Sequence, residues 1–325
     1  MVTVIMWLLF ALVILALFFV VGLTIALILV KRNLQGLSEE LFIGFGKAGH
    51  SFIAWLIAPI FKLDFFLLWL LGKYDVRQQE PIPWEERPEF VGNHCFPGLQ
   101  DVYNDIAEIF LRRPQNIMNP IYHFAPIPAE EDNFANQWYG FGTKICSIKF
   151  SRRSVASRAI AMRKSIRHAD YGGSIISYPE GGRTQNGTEF YKSESEHVLR
   201  KFEEGAAYLS LKRKKPIVVF WKRIIGDKSK ADKVSFRLLL KGFLRLHFDP
   251  RVKIIFDYGV VLYPNPNYSV NFKNKIERKA AIETHNQKIK EALFATADRQ
   301  LETLDKRGWN ILKRFWNWIP SLQIS

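Results

Sequence analysis

No feature constrains this chain more than residues 2–30, VTVIMWLLFALVILALFFVVGLTIALILV, which carry no charge at all. About 20 consecutive apolar residues suffice to cross a bilayer, and the run stops abruptly at Lys31-Arg32. A cleaved signal peptide would open with basic residues and carry a shorter apolar stretch; this chain opens MVTV. The run therefore reads as an uncleaved membrane anchor. The Lys31-Arg32 pair favours a cytosolic location for everything that follows. A second apolar stretch, Phe52–Leu71, is interrupted by Lys62 and Asp64, and charges near mid-span are costly in hydrocarbon. A half-embedded or interfacial segment fits it better than a second full span, with a core helix of the body as the alternative. The expected organisation is a membrane anchor over 1–72 and a cytosol-facing domain over 73–325.

All 46 Lys+Arg and 31 Asp+Glu lie after the first run, so the whole net charge of +15 falls on the body. A basic body suits an anionic partner: a membrane surface, a phosphorylated substrate or nucleic acid. Two cysteines, Cys95 and Cys146, make neither a disulfide framework nor a four-cysteine zinc site. The tail Lys306–Leu322 mixes Trp309, Phe315, Trp316 and Trp318 with Lys306, Arg307, Lys313 and Arg314. Such a mixture suits an interface of anionic lipid; a closing helix packed on the body is the alternative. Nucleic acid also takes such mixtures, but a chain anchored in a bilayer argues against that partner.

Gly44-Phe45-Gly46-Lys47-Ala48-Gly49 satisfies G-x-G-x-x-G, yet LSEELFI before it reads as a short helix, not the strand a dinucleotide site requires. After Lys73 the pattern changes. Gln78–Pro88 reads as a polar linker. Strands are expected at Phe90–Gly92, Ile145–Phe150, Ser174–Tyr178 and Ile217–Trp221. Helices are expected over Asp101–Arg112, Ser154–His168, Glu194–Lys212 and Phe272–Leu304. Val234–Phe248 and Val252–Leu262 alternate like antiparallel strands. Strand and helix alternate through the middle, which predicts an α/β fold with a mixed sheet covered by helices.

Four segments carry chemistry. His94 ends the apolar run Phe90-Val91-Gly92-Asn93, at a sheet rim where α/β folds bind ligands. Asp101 is a carboxylate partner for it. In a continuous helix the two would stand roughly 10 Å apart along the axis, but Pro97-Gly98 forbids that helix and lets a loop bring Asp101 back. A carboxylate so placed fixes the imidazole tautomer, as a general base requires. Tyr178-Pro179-Glu180-Gly181-Gly182-Arg183-Thr184 is a strand running into a glycine-rich turn. Arg183 there offers a planar fork suited to phosphate; an ordinary turn with an internal ion pair is the alternative. Ser147-Ile148-Lys149-Phe150-Ser151-Arg152-Arg153 places cations at a helix start, an anion site or simply a solvated end. Pro216-Ile217-Val218-Val219 alone is a core strand.

In this order the segments resemble the glycerophospholipid acyltransferase family, the lysophosphatidate acyltransferases. The family's N-H-x(4)-D is matched at its ends by Asn93-His94 and Asp101. Its F-P-E-G-T-R-S is closely matched by Tyr178–Thr184. Its G-x-x-F-x-x-R-like motif is matched loosely by Phe150 and Arg152, and its V/I-P-I-V-P-V strand by Pro216–Val219. The likeness covers about Phe90–Phe220, and the N-terminal membrane segments also look like those of bacterial members. One departure stands out: six residues separate His94 from Asp101 where the family has four, and Leu99 occupies the usual aspartate position. A two-residue bulge at Pro97-Gly98 is expected to restore contact, with Asp101 rather than Asp105 reaching the imidazole.

The resemblance implies a membrane-bound O-acyltransferase of phospholipid biosynthesis. His94 would deprotonate an acceptor hydroxyl and Asp101 would orient it. Arg152, Glu180, Gly181 and Arg183 would hold the phosphate or head group of a lysophospholipid-type acceptor. The donor would be acyl-CoA or acyl-carrier protein. Neither a metal nor a tightly bound cofactor is implied. A catalytically degenerate lipid-binding relative is the alternative, motivated by the stretched spacing.

Overall fold

The computed structural model describes residues 62–94, 105–109, 112, 127–130, 147–170, 173–181, 189–193, 197–226, 236–264 and 270–304. The expected anchor Val2–Val30, the Gly44–Gly49 segment, Asp101, Arg183 and the tail Lys306–Leu322 lie outside these residues. Among the described residues no helix is long and apolar enough to cross a membrane.

The strands are β1 (Tyr74–Gln78), β2 (Glu89–Gly92), β3 (Ile127–Glu130), β4 (Ser147–Phe150), β5 (Ile175–Ser177), β6 (Phe190–Lys192), β7 (Val198–Arg200), β8 (Ile217–Ile225) and β9 (Lys253–Leu262). Residues 62–70 form helix α1 and residues 105–109 form helix α2. Four more follow: α3 (Val155–Asp170), α4 (Gly205–Arg213), α5 (Phe236–Phe248) and α6 (Lys275–Leu304). Five strands make one sheet in the order β1-β9-β8-β2-β5. Strands β8, β2 and β5 run parallel, while β9 runs antiparallel to β8 and parallel to β1. The mixed sheet expected from the sequence is thus present. Strands β3 and β4 pair in parallel apart from it, and β6 and β7 form a small antiparallel pair.

Alternation along β8 sorts the two faces. Val218 and Phe220 join Phe90, Phe256, Tyr258, and Phe65 and Leu68 of α1 in one core; Leu246 of α5 and Ile106 of α2 belong to it too. Ile217, Val219 and Trp221 join Ala206 and Ala207 of α4 and Ile282, Ile289 and Leu293 of α6 in the other. Each fully buried large side chain contributes about 1.5–3 kcal/mol, so the sheet is fixed from both sides. Phe65 and Leu68 pack in the same core as the strands, so the body reaches back at least to α1.

Two expected elements differ. Residues 236–248 are helical, not a strand. Their segment FRLLLKGFLRLHF is rich in Leu, Arg and Lys and contains no β-branched residue, a composition that favours helix. Its neighbour β9, KIIFDYGVVL, has the β-branched and aromatic content of a strand. The helix expected over Glu194–Lys212 begins only at Gly205, and Val198–Arg200 is strand β7. There Leu199 alone is buried between two more exposed neighbours, a period of two. Strand β1 falls where composition suggested only a boundary.

Candidate functional site

The carboxyl ends of β2, β5 and β8 meet at one edge of the sheet. Chain order takes β2 to β5 on one side and then to β8 on the other, and such reversals open a ligand crevice in α/β sheets. At this edge β2 runs close against β8. A Cβ on Gly92 would lie 2.1 Å from the Phe220 ring, so only glycine fits. Beyond the last ladder pair, the Asn93 side chain continues the pairing. Its Nδ2 donates to the Lys222 carbonyl at 2.9 Å, and its Oδ1 accepts from the Lys222 N–H at 2.8 Å. His94 leaves the strand from this clamped position, partly exposed.

The turn after β5 comes to meet it. The Gly181 N–H donates to the Tyr178 carbonyl at 2.9 Å, and Gly181 sits at φ +62°, where L side chains are strained. Glu180 is fully buried inside the turn. Its Oε1 accepts the His94 N–H at 3.3 Å and its Oε2 accepts the Arg200 N–H of β7 at 2.7 Å. The side chain expected among the head-group ligands thus ties three segments together through backbone donors. Arg152, at the end of β4, donates to the Gly181 carbonyl and pairs with Glu130 of β3 at 3.1 Å. Its side chain is half exposed.

Beneath His94 lies a polar cluster that the motifs do not announce. The Tyr178 ring stacks on the His94 imidazole, with centroids 4.5 Å apart and planes 14° apart. The Tyr178 hydroxyl donates to Asp105 Oδ2 at 2.5 Å. Asp105 Oδ1 accepts from Lys222 Nζ at 2.6 Å, and both side chains are wholly buried. Glu108, one turn along α2, accepts from the Tyr74 hydroxyl and from Arg112 Nε. Burial and the adjacent Glu108 push the Tyr74 and Tyr258 hydroxyls well above the ordinary phenol range, so both stay protonated donors.

His94, Arg152, Glu180 and Gly181 are therefore brought to one place, although 86 residues separate His94 from Glu180 and 29 separate Arg152 from Gly181. Asp101 and Arg183 lie outside the described residues. Asp105, weighed as a substitute partner for His94, is engaged by Lys222 and Tyr178. Sequence reasoning missed Asn93 as a clamp, and Tyr178, Asp105 and Lys222 as a unit. One signal was there: Lys222 falls in phase with Val218 and Phe220 on a buried strand, where a lysine demands a counter-charge.

No family model and no curated relative matches the chain. Among solved structures, the crystal structure of the 1-acyl-sn-glycerophosphate (LPA) acyltransferase PlsC from Thermotoga maritima is similar over 82% of this chain and 96% of that chain, with 14% identity and a TM-score of 0.38. A likeness that distant carries neither fold nor chemistry across.

Proposed function

We propose that the chain is a membrane-bound O-acyltransferase. It would move a fatty acyl group from an acyl thioester to a hydroxyl of a lysophospholipid-type acceptor, lysophosphatidate or a related lipid. The observation that carries this reading is the direct contact among three motif segments far apart in sequence. His94 touches the Tyr178–Gly181 turn through its backbone and its ring, and Arg152 touches the same turn at Gly181. The motif order supplies the reaction class; the contacts support its use as one site.

In the proposed reaction the imidazole of His94 takes the proton of the acceptor hydroxyl. The oxygen attacks the thioester carbonyl, and a tetrahedral adduct forms. Its collapse breaks the C–S bond, and the leaving thiolate recovers the proton from the imidazolium. No acyl-enzyme is required. Asp101 is proposed to orient the ring, with Arg152 and Arg183 facing the acceptor phosphate. Glu180 contributes by holding the turn rather than by meeting an anion, which its charge would repel. The donor is proposed to be acyl-CoA or acyl-carrier protein, with the anchor Val2–Val30 in the bilayer and the site on the cytosolic side.

The test is transfer of labelled acyl groups from a thioester to lysophosphatidate by the purified full chain in mixed micelles. General-base assistance is worth about 10²–10⁴ in rate, so His94→Ala should lower turnover by that order. Asp101→Asn should lose a large part of it. Turnover unaffected by His94→Ala, or none in the native chain across several lysolipid acceptors, would favour the degenerate lipid-binding relative.

A further inference from the structure

Helix α1 is apolar on both sides. Phe65 and Leu68 point into the core, while Leu63, Leu67, Leu70 and the following Leu71 are between 39 and 62% exposed. At 100° per residue these four leucines fall on one side of the helix. Helix α5 adds to it. Leu246 is buried, whereas Leu244 and Phe248, four residues apart and so on one face, are 45 and 75% exposed. Two ties hold the end of α5 to α1: His247 Nε2 lies 2.7 Å from Asp64 Oδ1, and Lys73 donates to the Asp249 carbonyl. Phe248 stands between them in sequence. An exposed apolar face of this kind marks an interaction surface.

The charges around it select the partner. Lys62 and Lys241 are exposed, and Arg251 is largely so. The nearby acidic side chains are mostly buried: Asp64 faces His247, and Asp249 pairs with Arg245 and with Arg251 itself, so the cationic rim rests mainly on Lys62 and Lys241. What faces solvent is apolar surface rimmed by cations, which is complementary to a bilayer containing anionic lipid. The sequence upstream of α1, residues 52–61, continues the apolar run.

The topology then fixes where this face stands. Tyr74 pairs with Ile254, and Ile254 with Ile224, so α1 and α5 both enter the sheet at the edge where β8 finishes. Strand β2 runs parallel to β8 and ends at that same edge, immediately before His94. From β1 to β2 is three strand spacings, about 14 Å.

We propose that the leucine face of α1 together with Leu244 and Phe248 of α5 rests on an anionic bilayer and holds the His94 edge at its surface. A lipid acceptor could then offer its head group to His94 while its chains remain in the membrane. Docking itself is independent of the acyltransferase reading; only the delivery of an acceptor rests on it.

The test uses the full chain with Cys95→Ser and Cys146→Ser, carrying Leu67→Cys, Phe248→Cys or, as a control on α6, the 83% exposed Ile276→Cys. Each cysteine is labelled with an environment-sensitive fluorophore, and the protein is reconstituted in phosphatidylcholine–phosphatidylglycerol vesicles containing spin-labelled lipid. Quenching by the lipid should be at least about twofold stronger at 67 and 248 than at 276, and Lys241→Gln with Arg251→Gln should weaken it at 248. Equal quenching at all three sites overturns the proposal. So does shielding from aqueous iodide without quenching by lipid, which would mean that another segment or a second copy covers the face. His94→Ala should leave the quenching unchanged. Quenching without acyl transfer by the native chain would retain the surface and reject the enzymatic reading.

Discussion

The two ends of β2 each hold a buried acid–base pair, and they are built differently. At the carboxyl end Lys222 and Asp105 stand 2.6 Å apart, Tyr178 donates to the second carboxylate oxygen, and Asn93 binds both backbone groups of Lys222. At the amino end Glu89 is as deeply buried, but Arg213 approaches only to 3.7 Å. Among the described residues neither Glu89 oxygen accepts a side-chain or backbone hydrogen bond. Burial pushes the Glu89 carboxyl well above the usual range, with Arg213 opposing only in part. A buried charge is tolerated where its hydrogen bonds are complete. The complete end is the one that carries His94, so rigidity is concentrated under the imidazole.

The sharpest way to break this contrast is to unpair the complete end. Asp105→Ala leaves the Lys222 ammonium buried without its carboxylate, and loss of one partner from such a pair costs about 3–5 kcal/mol. Denaturant unfolding in detergent should show it. Asp105→Leu with Lys222→Met should recover much of the loss, because both charges then leave together. Arg213→Met at the looser end should cost much less. Similar costs at the two ends would remove the distinction.

Tyr178→Phe tests how the cluster reaches His94. The stack survives while the hydrogen bond to a charged acceptor is lost, about 1.5 kcal/mol. If Tyr178 holds the imidazole in place, turnover should fall about tenfold with the acceptor Michaelis constant unchanged. A rise in that constant alone would assign Tyr178 to binding instead.

Glu89→Gln sharpens the comparison through pH. The folded carboxyl titrates above the unfolded one, so the unfolded chain releases the proton first. Stability is therefore full below about pH 4.3 and declines as pH rises toward the folded value. Removing the acid should raise stability at pH 7 and flatten that decline. A destabilised Glu89→Gln would mean that the Arg213 pair is worth more than its geometry indicates.

What could be read from the sequence follows the same division. Strand β8 was legible as a compact apolar run behind Pro216, helix α6 as one long amphipathic pattern, and strand β2 as a short apolar run before Asn93-His94. His94 and the Tyr178–Gly181 turn were legible as parts of a sheet rim because glycine and an apolar strand end announce one, and the two do meet there. Helix α5 was not, since the spacing of its leucines suits both periods and only the lack of β-branched residues separates them. Glu180 was placed among the head-group ligands by the resemblance alone; its burial, with the His94 and Arg200 N–H groups on its carboxylate, depends on β2 and β7 and has no local signal. The Asp105–Lys222 pair is 117 residues apart in sequence, and no local pattern joins two such charges.

The smallest expected effect lies on the opposite face of the sheet, at His285 of α6. Its Nε2 is 3.2 Å from Ser210 Oγ, which itself donates to the Lys215 carbonyl at 2.7 Å. The imidazole is therefore the donor in that contact, and the serine is not an activated nucleophile. Burial, with Lys288 adding to it, lowers the His285 pKa to about 4. The folded state keeps the ring neutral, whereas the unfolded chain takes up a proton below pH 6.5. The associated stability is thus present above pH 6.5 and is lost as pH falls toward 4, opposite in sign to Glu89. His285→Gln keeps an N–H for Ser210 and cannot titrate. Its stability at pH 7 should stay within about 1 kcal/mol of the native chain, while the acid slope between pH 6.5 and 4 becomes shallower. Unfolding midpoints measured across that range for the native chain, Glu89→Gln and His285→Gln should show two opposed slopes removed one at a time. An acid slope undiminished in His285→Gln would assign it to groups other than His285 and remove α6 from the pH response.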